Sequence, residues 1–106
     1  MRFAETLKKL PGVSHIAALR LLDAEGQEVA RLENKPGTGG SVAVYNHLAQ
    51  TYGSLTPEAA RKGLELYAEH SEEARANPGK HPNIDRLLAI AEAGAPALRV
   101  KTMFAL

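Results

Sequence analysis

The segment Asn34-Lys35-Pro36-Gly37-Thr38-Gly39-Gly40-Ser41 holds the residue types that suit an anion. It joins a stretch that reads as a strand to one that reads as a helix. The first N–H groups of a helix have no partner inside it, and with the helix dipole they favour negative charge. Gly37, Thr38, Gly39, Gly40 and Ser41 would supply those groups, with Lys35 beside them. The pattern is not the phosphate loop of nucleotide hydrolases, which needs Lys directly before Ser or Thr. Nor is it the dinucleotide fingerprint, since no parallel crossover follows. An architectural reading stands next to the functional one: the glycines turn the chain and Ser41 caps the helix.

A second dense stretch runs from His70 to Asp85, through Glu72, Glu73, Arg75, Asn77-Pro78-Gly79-Lys80 and His81-Pro82-Asn83. His70 and Glu73 lie at i, i+3 on one helical face, so with His81 or Asp85 they are permitted to form a nitrogen and oxygen metal site. The competing reading is a polar turn: Glu72 and Glu73 as a solvated face, His81-Pro82-Asn83 as a helix start, and Lys80 or Arg75 paired with the acids. The latter is preferred, and neither a metal nor another cofactor is expected.

No enzyme class is signalled. Ser41 and His47 are the nearest nucleophile and base, but six residues apart on a helix they do not share a face. Acid and base roles for His70, His81, Glu73 or Asp85 would need tertiary proximity. His15 and His47 read as a strand-edge and an amphipathic-helix residue, and Tyr45, Tyr52 and Tyr67 fall at core spacing.

Composition narrows the classes. There is no cysteine among the 106 residues, which excludes disulfides and thiolate zinc sites. Formal net charge is +1, from 13 Lys plus Arg against 12 Asp plus Glu, so no global field favours nucleic acid or an anionic membrane. Aromatics are only 5 % and Trp is absent, which leaves few stacking platforms for single-stranded nucleic acid. Arg2, Lys8, Lys9, Arg99 and Lys101 could merge into a basic patch, but alternating charge on a strand marks its solvated side. The N-terminal residues carry no signal-peptide pattern and no stretch approaches a membrane span, so a cytoplasmic location is expected.

The elements that must position these groups follow from punctuation. One domain is expected at this length. Phe3, Leu7 and Leu10 predict a short helix ending at Pro11-Gly12. The run Ile16 to Leu22 predicts a mostly buried strand, Asp23-Ala24-Glu25-Gly26 a turn, and Gln27 to Glu33 the returning strand. A helix follows with Val42, Tyr45, Ala49 and Tyr52 on one face, closed by Gly53. Thr56-Pro57 opens another, continuing to about Ala76. Ile84, Leu87, Leu88 and Ala91 mark a further helix ended by Gly94-Ala95-Pro96, and Leu98 to Phe104 alternates as a closing strand. The fold class is therefore α+β in the order αββαααβ: a small antiparallel sheet, hairpin plus C-terminal strand, packed with three to four helices.

Glu33-Asn34-Lys35-Pro36-Gly37, Ser41-Val42-Ala43-Val44-Tyr45 and the run Ala74 to Leu87 resemble a small bacterial family of uncharacterised proteins, a domain of unknown function. The resemblance covers nearly the whole chain. It implies a stand-alone bacterial protein of about this length and carries no activity, cofactor or catalytic residue. The segments that resemble the family most are the two turns singled out above. If they meet, Lys35, Gly37 to Ser41, Arg75, Lys80 and His81 would line one cationic, NH-rich corner for a phosphate or carboxylate. The alternatives are a homodimer formed through the small sheet, and an enzyme using His70 or His81 with nearby acids.

Overall fold

A computed structural model describes residues 2–106. The chain runs α1 (Phe3–Leu7), β1 (Ile16–Leu22), β2 (Glu28–Glu33), α2 (Gly39–Tyr52), α3 (Pro57–Tyr67), α4 (Glu69–Ala76), α5 (Pro82–Glu92) and β3 (Arg99–Phe104). The fold is α+β, with the expected order of strands and helices.

The hairpin forms because Asp23 organises its own turn. Its Oδ1 accepts from the amides of Glu25 and Gln27, and Gly26 takes φ +82°, a left-handed conformation natural to glycine. The sheet order is β2-β1-β3, all antiparallel, so the first strand is the central one. Leu19 and Leu21 of β1 are fully buried, as is Leu32 of β2, and the helices cover this face through α2. Arg20, Arg31 and Lys101 are paired across the opposite face, where alternation places a solvated surface.

The helical layer is α2 against the sheet, α3 against α2, and α5 against α3. Thr56 caps α3 as its sequence predicts, its hydroxyl accepting from the Ala59 amide at 3.1 Å with Pro57 at the first helical position. One cluster of buried side chains, among them Val42, Tyr45, Leu48, Leu55 and Leu87, joins all these elements.

Two local expectations are corrected. The single helix from Thr56 to Ala76 is broken at Ala68, which takes φ +54° and ψ −121°. This is a strained conformation for a residue with a Cβ, held by tertiary packing, and it ends α3 and restarts the chain as α4 in a new direction. The second concerns Ser41. Helix α2 begins three residues earlier, at Gly39 with Thr38 in the flanking position, and Ser41 lies within its first turn. The Thr38 hydroxyl donates back to the Glu33 carbonyl at 2.5 Å and so ties the glycine turn to the end of β2.

Candidate functional site

The Lys35–Ser41 turn and the Lys80–Asn83 turn line one open cleft of about 650 Å³. Of the residues singled out in the sequence, Lys35, Gly37, Thr38, Gly39, Gly40, Ser41, Lys80 and His81 all border it, and Arg75 does not. Arg75 makes a bidentate pair with Glu92 of α5, both bonds 2.7 Å, which fastens α4 to α5. Five residues along a helix from His70, it lies about 140° around the axis.

Two helices begin at the cleft, α2 at Gly39 and α5 at Pro82. In the first, the Thr38 and Gly39 amides are spent on the Lys35 carbonyl, while those of Gly40 and Ser41 have no acceptor among the described residues. Gly40 leaves room here for Phe3: a Cβ would sit 3.3 Å from its ring, a tight contact. The second turn is held by Asp85, whose Oδ2 accepts from the Gly79 amide at 2.9 Å. Gly79 itself takes φ +93°.

Tyr67, which falls at core spacing and is buried, and Phe3 of the short first helix complete the wall. Phe3 stacks on Tyr67 with ring centroids 5.2 Å apart and meets His70 edge-on at 5.2 Å. The Phe3 amide donates to Glu69 Oε1 at 2.7 Å, which locks α1 over the cleft and holds the Glu69 carboxyl below the usual carboxylate range. Tyr67 donates to Ser41 Oγ at 2.6 Å, leaving the Ser41 proton free to be donated elsewhere. On the other side, Tyr45 donates to the Asn83 carbonyl at 2.5 Å, and Arg86 donates to both Tyr45 Oη and Asn83 Oδ1. The α2 and α5 starts are thus braced by buried phenols. Phe3 and Tyr67 were readable only as helical spacing, which does not say whether an aromatic lies in the core or on a wall.

At the cleft's end stand His70, Glu73 and His81. Glu73 Oε1 meets Lys80 Nζ at 2.5 Å and His81 Nε2 at 3.4 Å, and Oε2 lies 3.8 Å from His70 Nδ1. Lys80, then His81, holds the Glu73 carboxyl below its ordinary value. His47 borders a separate depression with Lys9 and Lys62, so the Ser41–His47 pairing does not occur. Among the described residues no helix is long and apolar enough to cross a membrane.

The bracing phenols have a measurable consequence. Burial pushes the Tyr45 hydroxyl up from 10.0 to about 12, and burial raises Tyr67 as well. A folded-state value above the unfolded one contributes stability that is whole below pH 10 and is lost as pH rises toward the folded value. For Tyr45 alone this is about 2–3 kcal/mol. Urea midpoints should therefore fall steeply between pH 10 and 12, and Tyr45→Phe should flatten that fall; an equal slope in the variant would contradict it.

A family model described as an uncharacterized protein conserved in bacteria (DUF2322) matches residues 3–101. No curated protein and no solved structure matches the chain.

Proposed function

Because the chain belongs to that bacterial family, whose description assigns no activity, we propose a function from the cleft itself: a small cytoplasmic binding module that takes a phosphate or carboxylate group between the two turns. The observation that carries this reading is the convergence of two helix N-termini on one cleft that also has Lys35 and Lys80 at its rim. A single helix start is common architecture. Two of them, with unspent Gly40 and Ser41 amides, concentrate partial positive charge where a carboxylate or phosphate oxygen can reach it. Lys35 is free to turn to a ligand, whereas Lys80 must first leave Glu73 Oε1, 2.5 Å away. Lys35 meets Glu33 only at 3.9 Å, and both side chains are more than three-fifths exposed, so that pair holds little energy. The Ser41 hydroxyl, oriented by Tyr67, adds a neutral donor.

The test is a thermal-unfolding titration with inorganic phosphate, pyrophosphate and citrate at constant ionic strength. At a hundred times its dissociation constant, a bound anion stabilises by about 2.7 kcal/mol, which for a chain of this size raises Tm by on the order of 10 °C. The shift should saturate and should be lost in the Lys35→Met, Lys80→Met double variant. A non-saturating rise, or one the double variant retains, would remove the reading.

A further inference from the structure

The geometry points to a divalent-metal site of the zinc class formed by His70 Nδ1, Glu73 and His81 Nε2, contrary to the expectation drawn from the sequence. One ligand atom from each of the three residues lies within 4.8 Å of the others. The two imidazole nitrogens that face the carboxylate are buried, and neither has a hydrogen-bond partner among the described residues. Buried polar atoms are nearly always satisfied, so two orphans aimed at one carboxylate call for a physical cause.

Distances choose between the causes. A charged imidazole bonded to a carboxylate closes to about 2.7–2.9 Å. Here the separations are 3.8 Å for His70 and 3.4 Å for His81. Both are too long for charge-assisted hydrogen bonds; the His81 Nε2–Oε1 separation equals the edge of a tetrahedron around an ion with ligand distances near 2.1 Å, about 3.4 Å, while His70 Nδ1 faces the other oxygen, Oε2, and has to close by a few tenths of an ångström on binding. The backbone supplies the positions. Ala68 breaks the helix immediately before α4, which presents His70 and Glu73 one turn apart. The Asn77–Lys80 turn, held by Asp85, brings His81 back across from them. Asp85 serves that turn and is not part of the cluster.

Two imidazoles and one carboxylate suit zinc or a related borderline divalent ion and are a poor set for calcium or magnesium, which prefer oxygen. Three protein ligands leave at least one coordination position for water or for an oxygen of a ligand in the cleft. Binding requires Lys80 to release Glu73 Oε1. Lys80 is 60 % exposed, so its ion pair is a weak competitor, and its release would turn its charge toward the anion-binding rim. The site does not depend on the anion reading.

The test uses the full chain in phosphate-free buffer with Zn²⁺, and with Co²⁺ as a spectroscopic stand-in. One equivalent should bind, with a cobalt absorption characteristic of four or five ligands. In the unmodified protein, long-range ¹H–¹⁵N spectra should move the Nδ1 resonance of His70 and the Nε2 resonance of His81 while leaving His15 and His47 in place. Glu73→Gln and His81→Gln should each weaken binding by about 100-fold or more, since even outer-shell changes cost 10- to 100-fold. Lys80→Met should bind the metal at least as tightly as the parent chain while losing the anion-dependent Tm shift, which separates failure of one reading from failure of the other. Zinc that shifts all four histidines alike, or that binds Glu73→Gln unchanged, would overturn the proposal.

Discussion

Replacing Gly63 by Val should cost at least about 3 kcal/mol of stability, at the upper end of overpacking effects. Gly63 faces the point where three helices converge. A Cβ there would stand 2.6 Å from Leu87 Cδ1 of α5 and 2.8 Å from Leu48 Cδ1 of α2. Both leucines are fully buried, so neither tip can swing into solvent. Gly63→Ala is the milder probe. It gains about 1 kcal/mol of helix propensity and loses 1–3 to overpacking, for a small net loss. Val adds two further methyls that must enter the same gap, together with a restricted χ1. Against a total stability of about 5–15 kcal/mol, that is a large fraction. The urea midpoint measures it, and a valine variant as stable as the parent would mean that α3 does not approach α2 and α5 this closely. The effect reaches the cleft, because α3 carries Tyr67 to one wall and α5 begins at the other.

The second large effect concerns Asn34, which ends the strand side of the glycine turn. Its Nδ2 donates to the carbonyls of Val13 and Ile16 at 2.9 and 2.8 Å, and its amide donates to Ala17 at 2.9 Å. One side chain thus ties the loop before β1 to the loop before α2. Asn34→Ala should cost about 1–3 kcal/mol, since two hydrogen bonds go and the Ile16 carbonyl loses the Asn34 donor, whereas the Val13 carbonyl keeps the Ile16 amide at 2.9 Å. It should also free the Lys35–Ser41 turn, so phosphate-dependent stabilisation should drop although no group that meets the anion has changed. Hydrogen exchange at Thr38 and Gly39, whose amides bond the Lys35 carbonyl, reports that loosening directly. Unaltered exchange together with a lowered midpoint would confine Asn34 to a purely structural role.

Most elements were legible because local chemistry agreed with the fold. Asp23-Ala24-Glu25-Gly26, Thr56-Pro57 and Gly94 each carry a turn or cap signal that needs no tertiary help. The break at Ala68 was not legible, since Tyr67-Ala68-Glu69-His70 contains no Gly or Pro and reads as continuous helix. Packing imposes it against propensity. The start of α2 was misplaced for a related reason. Gly39 and Gly40 are poor helix formers, yet both lie in the helix, where a side chain would press on Asn34 or Phe3 at 3.3 Å.

The two conspicuous turns share a cleft, but no spacing rule announces it; they are brought together by α3 packing between α2 and α5. Arg75 shows the converse error, in which nearness in sequence stood in for nearness in space, and counting 100° per residue from His70 would have turned it away. The His70–Glu73 pair follows from i, i+3 spacing. The approach of His81 depends on the conformation of a turn punctuated by Pro78, Gly79 and Pro82.

The sheet order sets a timetable for synthesis. β1 is flanked by β2, which follows it at once, and by β3, whose Arg99 pairs with Leu22 and whose Phe104 pairs with Ile16. That second neighbour is separated from β1 by about 80 residues, and at roughly 5–20 residues per second it leaves the ribosome on the order of 4–16 s later. During that interval one edge of the central strand has hydrogen-bonding groups with no partner, and the whole helical layer emerges before the partner does. An unpaired edge templates pairing with other chains. The early hairpin and α2, which packs on it in the finished fold, are therefore what a nascent chain has to keep Leu19 and Leu21 from a neighbour's strand until residues 99–104 arrive.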